Sequence, residues 1–233
     1  ANQIAIWTDA STIKGDATLL IDDNHKITLY QPNSADPIVA TNSYNIGGGN
    51  IATVTGLDNT GFGRDNLSSV TTGTKNVAFG SNSLNNLTTG TANVAIGHNT
   101  LFDVTGAIEC VAIGAETLSN VTTGHFNIGI GYGAGINITT STRNTLIGRN
   151  SGSQLDTTSS GGYNTFIGYQ SGNAITSGSK NVIIGSNSGN TIATSSNNIV
   201  LSDGDGNVRQ SFNSTGAATF SSASAKSLTG SFN

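Results

Sequence analysis

From residue 59 to residue 202 apolar and polar positions recur with a period of 17. Asn59, Asn76, Asn93, Cys110, Asn127, Asn144, Asn164, Asn181 and Asn198 mark position 0 of successive coils. Position 3 is then always bulky and apolar (Phe62, Phe79, Ile96, Ile113, Ile130, Ile147, Ile167, Ile184, Leu201), and position 4 is glycine until Ser202 ends the series. A second apolar column stands at position 11, from Val70 to Ile192. One step is 20 residues long, and its extra Ser159-Ser160-Gly161 falls in the turn before Tyr163, where an insertion leaves the next coil in phase.

An apolar residue followed by glycine at a fixed place predicts a short strand ending in a turn, and the position-11 column predicts a second strand per repeat. Gly, Asn, Ser and Thr between them leave no 3.6-residue stripe. Each repeat cannot bury its own apolar face and must stack on its neighbours. The expected fold is all-β: an elongated, repetitive β-solenoid or an intertwined triple β-fibre on a 17-residue repeat. The asparagine column predicts a ladder of side chains at a corner, each satisfying turn backbone and its neighbours.

Two further columns exchange volume. Position 2 is small in Gly61, Ala78, Ala95, Ala112 and Gly129, then large in Leu146, Phe166, Ile183 and Val200. Position 8 does the opposite: Leu67, Leu84, Leu101 and Leu118 give way to Gly135, Gly152, Gly172 and Gly189. A close-packed interior conserves total volume, so both columns should face one packing space, within a coil or between chains around an axis. The cross-section should change near Gly129 to Gly135.

The ends differ from the middle. Residues 1–40 alternate at Ile4 and Ile6, Leu19 and Ile21, Ile27 and Leu29, with Asp22-Asp23-Asn24-His25 as a hairpin turn, predicting a β cap unit. Residues 41–202 hold the repeats, beginning with a degenerate coil over 41–58. Residues 203–233 form a hairpin around Asp205-Gly206-Asn207 and a low-complexity tail.

Composition narrows the function. The chain has 233 residues, 9% charged, 31 glycines and a formal charge of −4, with Lys and Arg scattered, so nucleic acid is not an expected partner. Apolar runs such as Val182-Ile183-Ile184 are too short to cross a bilayer, so no membrane insertion is expected. Cys110 stands alone and is expected to act as a small hydrophobe. His25, His98 and His125 share no ligand spacing, and Asp203-Gly204-Asp205-Gly206-Asn207 has half of a calcium loop and is expected to be a turn. No cofactor or metal is expected. Asp65 and Glu116 share a column but stand three coils apart, roughly 14 Å at strand spacing. No catalytic residue is therefore assigned, although a site assembled between chains stays open. Thr71-Thr72, Thr88-Thr89 and Thr122-Thr123 could match an ice lattice, but the pattern breaks at Ser177-Gly178 and Ser195-Ser196. Position 5 is variable, and its Arg64, His98, Tyr132, Arg149 and Tyr169 are expected to line an exposed edge able to stack on sugars or pair with anions.

The text from Asn76 through Val77-Ala78-Phe79-Gly80 to Thr88-Thr89-Gly90 resembles the head repeats of trimeric autotransporter adhesins. More closely, it resembles the Asn/Gly/Thr-rich repeats of bacteriophage tail fibres. The 17-residue coil is longer than the adhesin one. Ala95-Ile96-Gly97 and Ala112-Ile113-Gly114 match the adhesin Ala-Ile-Gly phrase, and the likeness implies a core isoleucine and a turn glycine. Residues 4–23 resemble the β-unit before tail-fibre repeats, and 201–220 the segment leading to a cleaved C-terminal intramolecular chaperone. The resemblance implies a parallel homotrimer on a virion tail, extracellular, alongside other tail proteins and attached to bacterial surface polysaccharide or lipopolysaccharide. The alternatives are an adhesin head on a bacterial cell surface and a purely structural shaft.

Overall fold

The structure, a computed structural model, describes residues 58–155 and 162–221 throughout, with the backbone of strands at 18–21, 27–30, 45–46, 49–50 and 53–55. The chain divides into two compact units, residues 1–42 and 43–233. In the first, β1 (Thr18–Ile21) and β2 (Ile27–Tyr30) pair antiparallel with Ile21 opposite Ile27, the hairpin the alternation predicts. Ile4, Ile6, the turn at 22–25, Asp156, the Ser159-Ser160-Gly161 insertion and the tail from 222 lie outside the described residues.

The second unit opens with the short antiparallel pair β3 (Asn45–Ile46) and β4 (Gly49–Asn50). A twelve-stranded sheet follows whose spatial order is the chain order. Its first strand, β5 (Thr53–Thr55), runs antiparallel to β6 (Asn59–Phe62). Each coil then contributes one parallel strand: β7 (Val77–Phe79), β8 (Val94–Ile96), β9 (Val111–Ile113), β10 (Ile128–Ile130), β11 (Thr145–Ile147), β12 (Thr165–Ile167), β13 (Val182–Ile184) and β14 (Ile199–Ser202). Ladder partners are the same position of adjacent coils, such as Ala78 with Ala95 and Leu146 with Phe166. The parallel register therefore persists across the 20-residue step. Two antiparallel strands, β15 (Val208–Phe212) and β16 (Ala218–Phe220), complete the sheet. The unit is a β-solenoid with a 17-residue repeat.

Among the described residues each coil holds one strand, not two. Positions 6 and 8 and the residue before position 0 all take left-handed backbone: Asn82 at φ 60°, Leu84 at 51° and Lys75 at 61°. Such residues interrupt extended chain, so position 11 is buried inside a turn; Leu87, for example, has its N–H directed to the Leu84 carbonyl. Coil-to-coil hydrogen bonds continue there all the same, as from Thr88 N–H to the Thr105 carbonyl at 3.0 Å. The Thr71 and Thr88 hydroxyls also donate to the next coil's carbonyl, which commits them to the stack. The position-4 glycine is required twice over. Gly97 has φ 140°, and a Cβ on it would lie 2.6 Å from the Gly114 carbonyl oxygen.

Both exchanging columns face inward. A Cβ on Gly129 would lie 2.9 Å from Leu118 Cγ, and one on Gly135 would lie 2.7 Å from both Leu118 and Leu146. A Cβ on Gly152 would lie 2.9 Å from Leu146. The shared packing space is thus inside one chain, and the exchange is complete without a second copy. A buried hydroxyl column at position 7 changes partner at the same place. Ser83 and Thr117 donate to the position-4 carbonyl of the next coil, at 2.6 Å in each case. Ser151 and Ser171 instead donate to the position-2 carbonyl, at 3.0 and 3.1 Å. Ala134, between the two sets, has no hydroxyl. The cross-section changes where the volumes cross, as expected.

Position 8 keeps its left-handed backbone throughout, so the early leucines pay for core volume with strain of about 1–2 kcal/mol each. Leu84→Gly removes that strain but leaves a cavity, and should cost about 2–4 kcal/mol. Ala78→Ile should overpack against Leu84 by about 1–3 kcal/mol. The double variant is expected to lose at least 1 kcal/mol less than the sum in urea denaturation; strict additivity would show that the columns do not share space.

Candidate functional site

The asparagine column is the inner polar spine. Asn76 Nδ2 donates to Asn59 Oδ1 at 2.9 Å and to the Gly90 carbonyl at 2.9 Å, while Asn76 Oδ1 accepts the Asn93 N–H at 2.9 Å. The same pattern recurs with minor changes to Asn198. These amides are buried and committed to the corner, which fits the predicted ladder and removes them from ligand contact.

Cys110 occupies the same slot. Its N–H still donates to Asn93 Oδ1 at 3.0 Å, and its Sγ lies 3.3 Å from the Gly124 carbonyl. Burial raises the thiol from 9.0 to about 11, against the smaller opposing effect of backbone hydrogen bonds at Asn127 and Phe126. Near neutral pH the group is a protonated thiol packed in the core, as the sequence suggested.

The exterior corrects one expectation. Positions 1 and 3 point away from the interior, opposite the buried position 2. The isoleucines of Ala95-Ile96-Gly97 and Ala112-Ile113-Gly114, expected in the core, are 40% and 36% exposed. The alternation of a strand forces this: position 2 faces in, so its neighbours face out. Val77, Val94, Val111, Ile128 and Val182 at position 1 join the position-3 residues in an apolar strip over nine parallel strands, where Phe62 and Phe79 stack with ring centres 4.9 Å apart. At about 4.8 Å per strand and 3.3 Å per residue the strip is roughly 40 Å long and 10 Å wide, on the order of 400 Å². That is the scale of the largest apolar patch on a typical monomer, which is often an interaction surface.

The predicted edge column flanks this strip on the glycine side. Arg64, His98, Tyr132, Arg149 and Tyr169 are all exposed at position 5. Tyr132, Arg149 and Tyr169 fall on consecutive coils, with the Arg149 guanidinium 5.5 Å from the Tyr132 ring centre. Arg64 and His98 stand apart, separated from each other by Ser81 and from Tyr132 by Ala115. Arg64 instead pairs with exposed Asp65 at 3.6 Å, an interaction of little energetic weight. The Glu116 carboxylate accepts from the Tyr132 hydroxyl and, with its charge, holds that phenol above its usual range; slight desolvation adds to this and Arg149 opposes it.

A second edge column, not anticipated, flanks the other side of the strip: the residues just before position 0. Here the Arg143 guanidinium lies 4.8 Å from the Phe126 ring centre and 5.3 Å from that of Tyr163. The signal lay in the sequence as Phe126, Arg143, Tyr163 and Lys180 at coil spacing, masked by dissimilar residues in the earlier coils. The Asp203 turn is a hairpin connection closed on itself: Asp203 Oδ1 accepts the Asp205 and Asn207 N–H groups at 3.0 and 2.9 Å, and Oδ2 pairs with Arg209. Desolvation raises the Asp203 carboxyl, but the Asn207 N–H and amide and the Arg209 guanidinium outweigh it and hold the group below its ordinary value. Among the described residues no three His, Cys, Asp or Glu side chains gather as a metal site, and no helix is long and apolar enough to cross a membrane.

Comparison of the chain with protein families, curated proteins and solved structures gives no match.

The interrupted ladder gives a direct test of its worth. Asparagine at position 110 can donate to Asn93 and Gly124 and accept from Asn127, so Cys110→Asn should raise stability by about 2 kcal/mol at roughly 1 kcal/mol per hydrogen bond. A lower urea midpoint would mean that the slot cannot take the amide. The thiol adds a pH dependence. Its folded value, about 11, exceeds the ordinary 9.0, so its contribution is intact below pH 9 and is lost as pH rises toward 11. The wild type should weaken relative to Cys110→Asn in that window alone.

Proposed function

We propose that this chain is a subunit of a parallel homotrimeric tail fibre of a bacterial virus, presenting a rigid β-surface for attachment to glycan on a bacterial host. The observation that carries the reading is the apolar strip on the outside of the solenoid. A lone chain leaves Ile96, Ile113 and Ile184 in water on a rigid sheet, and packing against copies of itself would remove that cost. The likeness of the repeats and flanks to tail-fibre text supports the viral setting. The head of a trimeric adhesin on a bacterial cell surface would use the same strip. Light scattering on the purified chain should give three times the mass of one chain; a stable monomer at micromolar concentration would defeat the reading.

Attachment rests on the exposed ring and guanidinium edge. Aromatic faces accept the apolar faces of sugars, and arginine adds a planar, weakly hydrated donor set for acidic substituents. Tyr132→Ala, Arg149→Ala and Tyr169→Ala should each weaken binding to lipopolysaccharide or capsular polysaccharide on a glycan array about fivefold, at roughly 1 kcal/mol per ring or cation contact. Unchanged binding in all three would favour a spacer role for this region. The fibre is proposed to act without catalysis, its acids Asp65 and Glu116 standing three coils apart within one chain. New reducing ends released by the pure protein, and lost on changing either acid, would establish an active site instead.

A further inference from the structure

The two columns bordering the apolar strip match in chemistry in three consecutive coils of the nine, whereas Lys75 with Ser81, Ala92 with His98, Glu109 with Ala115 and Lys180 with Ser186 do not. In the three matching coils Phe126 shares its layer with Tyr132, Arg143 with Arg149, and Tyr163 with Tyr169. At the start of the stack Asp58 shares its layer with Arg64. Within one chain these partners cannot meet, because the extended strand between them holds them roughly 10 Å or more apart. Backbone geometry does not demand the match either, since the columns sit in different conformations: the first is left-handed, while position 5 follows the glycine corner.

Symmetry supplies the meeting. When copies pack through the strip about an axis parallel to the stack, the edge before position 0 of one copy faces the position-5 edge of the next, layer against layer. An antiparallel two-fold pairing would instead set each column against itself. We infer that copies of this chain associate parallel and in register about such an axis, with Phe126, Arg143 and Tyr163 of one copy meeting Tyr132, Arg149 and Tyr169 of its neighbour along a seam.

Aromatic layers then lie above and below one arginine layer, and Asp58 meets an arginine. The like-charged layer opposes the contact. It is eased because Arg143 and Arg149 already lie against rings of their own columns. The strip, on the order of 400 Å², supplies about half of the ~800 Å² per partner of a stable interface, and the bordering columns supply the rest. The inference rests on the multi-subunit reading above and deepens it: the groove offered to a glycan is lined by two copies rather than one.

Disulfide trapping tests the seam in the full chain, since buried Cys110 stays out of exchange. Lys180→Cys with Ser186→Cys, and separately Ala92→Cys with His98→Cys, place thiols in one layer on opposite columns. Each pair should oxidise to covalent dimers and closed trimers on non-reducing gels. Lys180→Cys with Arg149→Cys lies two layers out of register, roughly 10 Å, beyond the ~7 Å reach of a disulfide, and should cross-link at least tenfold less. A mixture of the single Lys180→Cys and Ser186→Cys chains, assembled together, should stop at dimers. Cross-linking of a Lys75→Cys with Lys180→Cys chain, whose layers a centred antiparallel pairing would bring together on one edge, would overturn the inference. Failure of both in-layer pairs in a chain that light scattering shows to be oligomeric would also overturn it while leaving the assembly standing. A monomer by light scattering would defeat both readings.

Discussion

The structure depends on one constraint: equivalent backbone groups of successive coils must sit about 4.8 Å apart and bond to one another. Once that holds, every position becomes a column, and a residue's nearest neighbours are its own equivalents above and below. A polar side chain that can both donate and accept then satisfies itself by repetition. Asparagine does so at position 0, whereas serine or threonine at position 7 donates to a backbone carbonyl of the next coil. The same spacing excludes a side chain at position 4, where a Cβ on Gly131 would lie 2.7 Å from the carbonyl carbon of Gly148. The glycine content follows from coil spacing rather than from flexibility.

The interior has two solutions to one packing problem. Position 8 must be left-handed to turn the chain, a conformation that costs leucine but not glycine. The early coils accept strained leucine and keep alanine in the strand; the later ones use glycine at the turn and fill the space with Leu146, Phe166 or Ile183. The coil that joins them has glycine at both places, Gly129 and Gly135. It is kept filled by Leu118 from the coil before and Leu146 from the coil after, with its own Ile138. Continuity of the stack lets neighbours fill a coil that could not fill itself.

Period, asparagine ladder and volume exchange were legible because each depends on residue identity at a fixed spacing. The direction of the strand faces was not. Bulky residues at positions 1 and 3 beside alanine at position 2 suggest that position 3 is the core, whereas the narrow interior takes Ala95 and turns Val94 and Ile96 outward. Left-handed leucine was hidden as well, since nothing in Leu84 itself signals positive φ; the glycines replacing it from three coils later carried the hint. The position-5 edge was visible because its glycine neighbour marks the corner. The edge before position 0 was not, because Asp58, Lys75, Ala92 and Glu109 precede the aromatic coils and share no chemistry with them.

A narrow coil also explains why the exterior is apolar. Three apolar columns at positions 2, 8 and 11, with the buried polar columns at positions 0 and 7, fill the cross-section, so strand residues with high β-propensity at positions 1 and 3 have only the outside to occupy. Antiparallel strands close the parallel ladder at both ends, β5 at one and β15 with β16 at the other. A face repeating every 17 residues, with borders that change chemistry from coil to coil, can hold copies together by the first and fix their register by the second. Apolar contact alone would allow slippage by one coil at little cost, because Val94 and Ile96 are followed by Val111 and Ile113. The irregular borders are what make one alignment better than the rest.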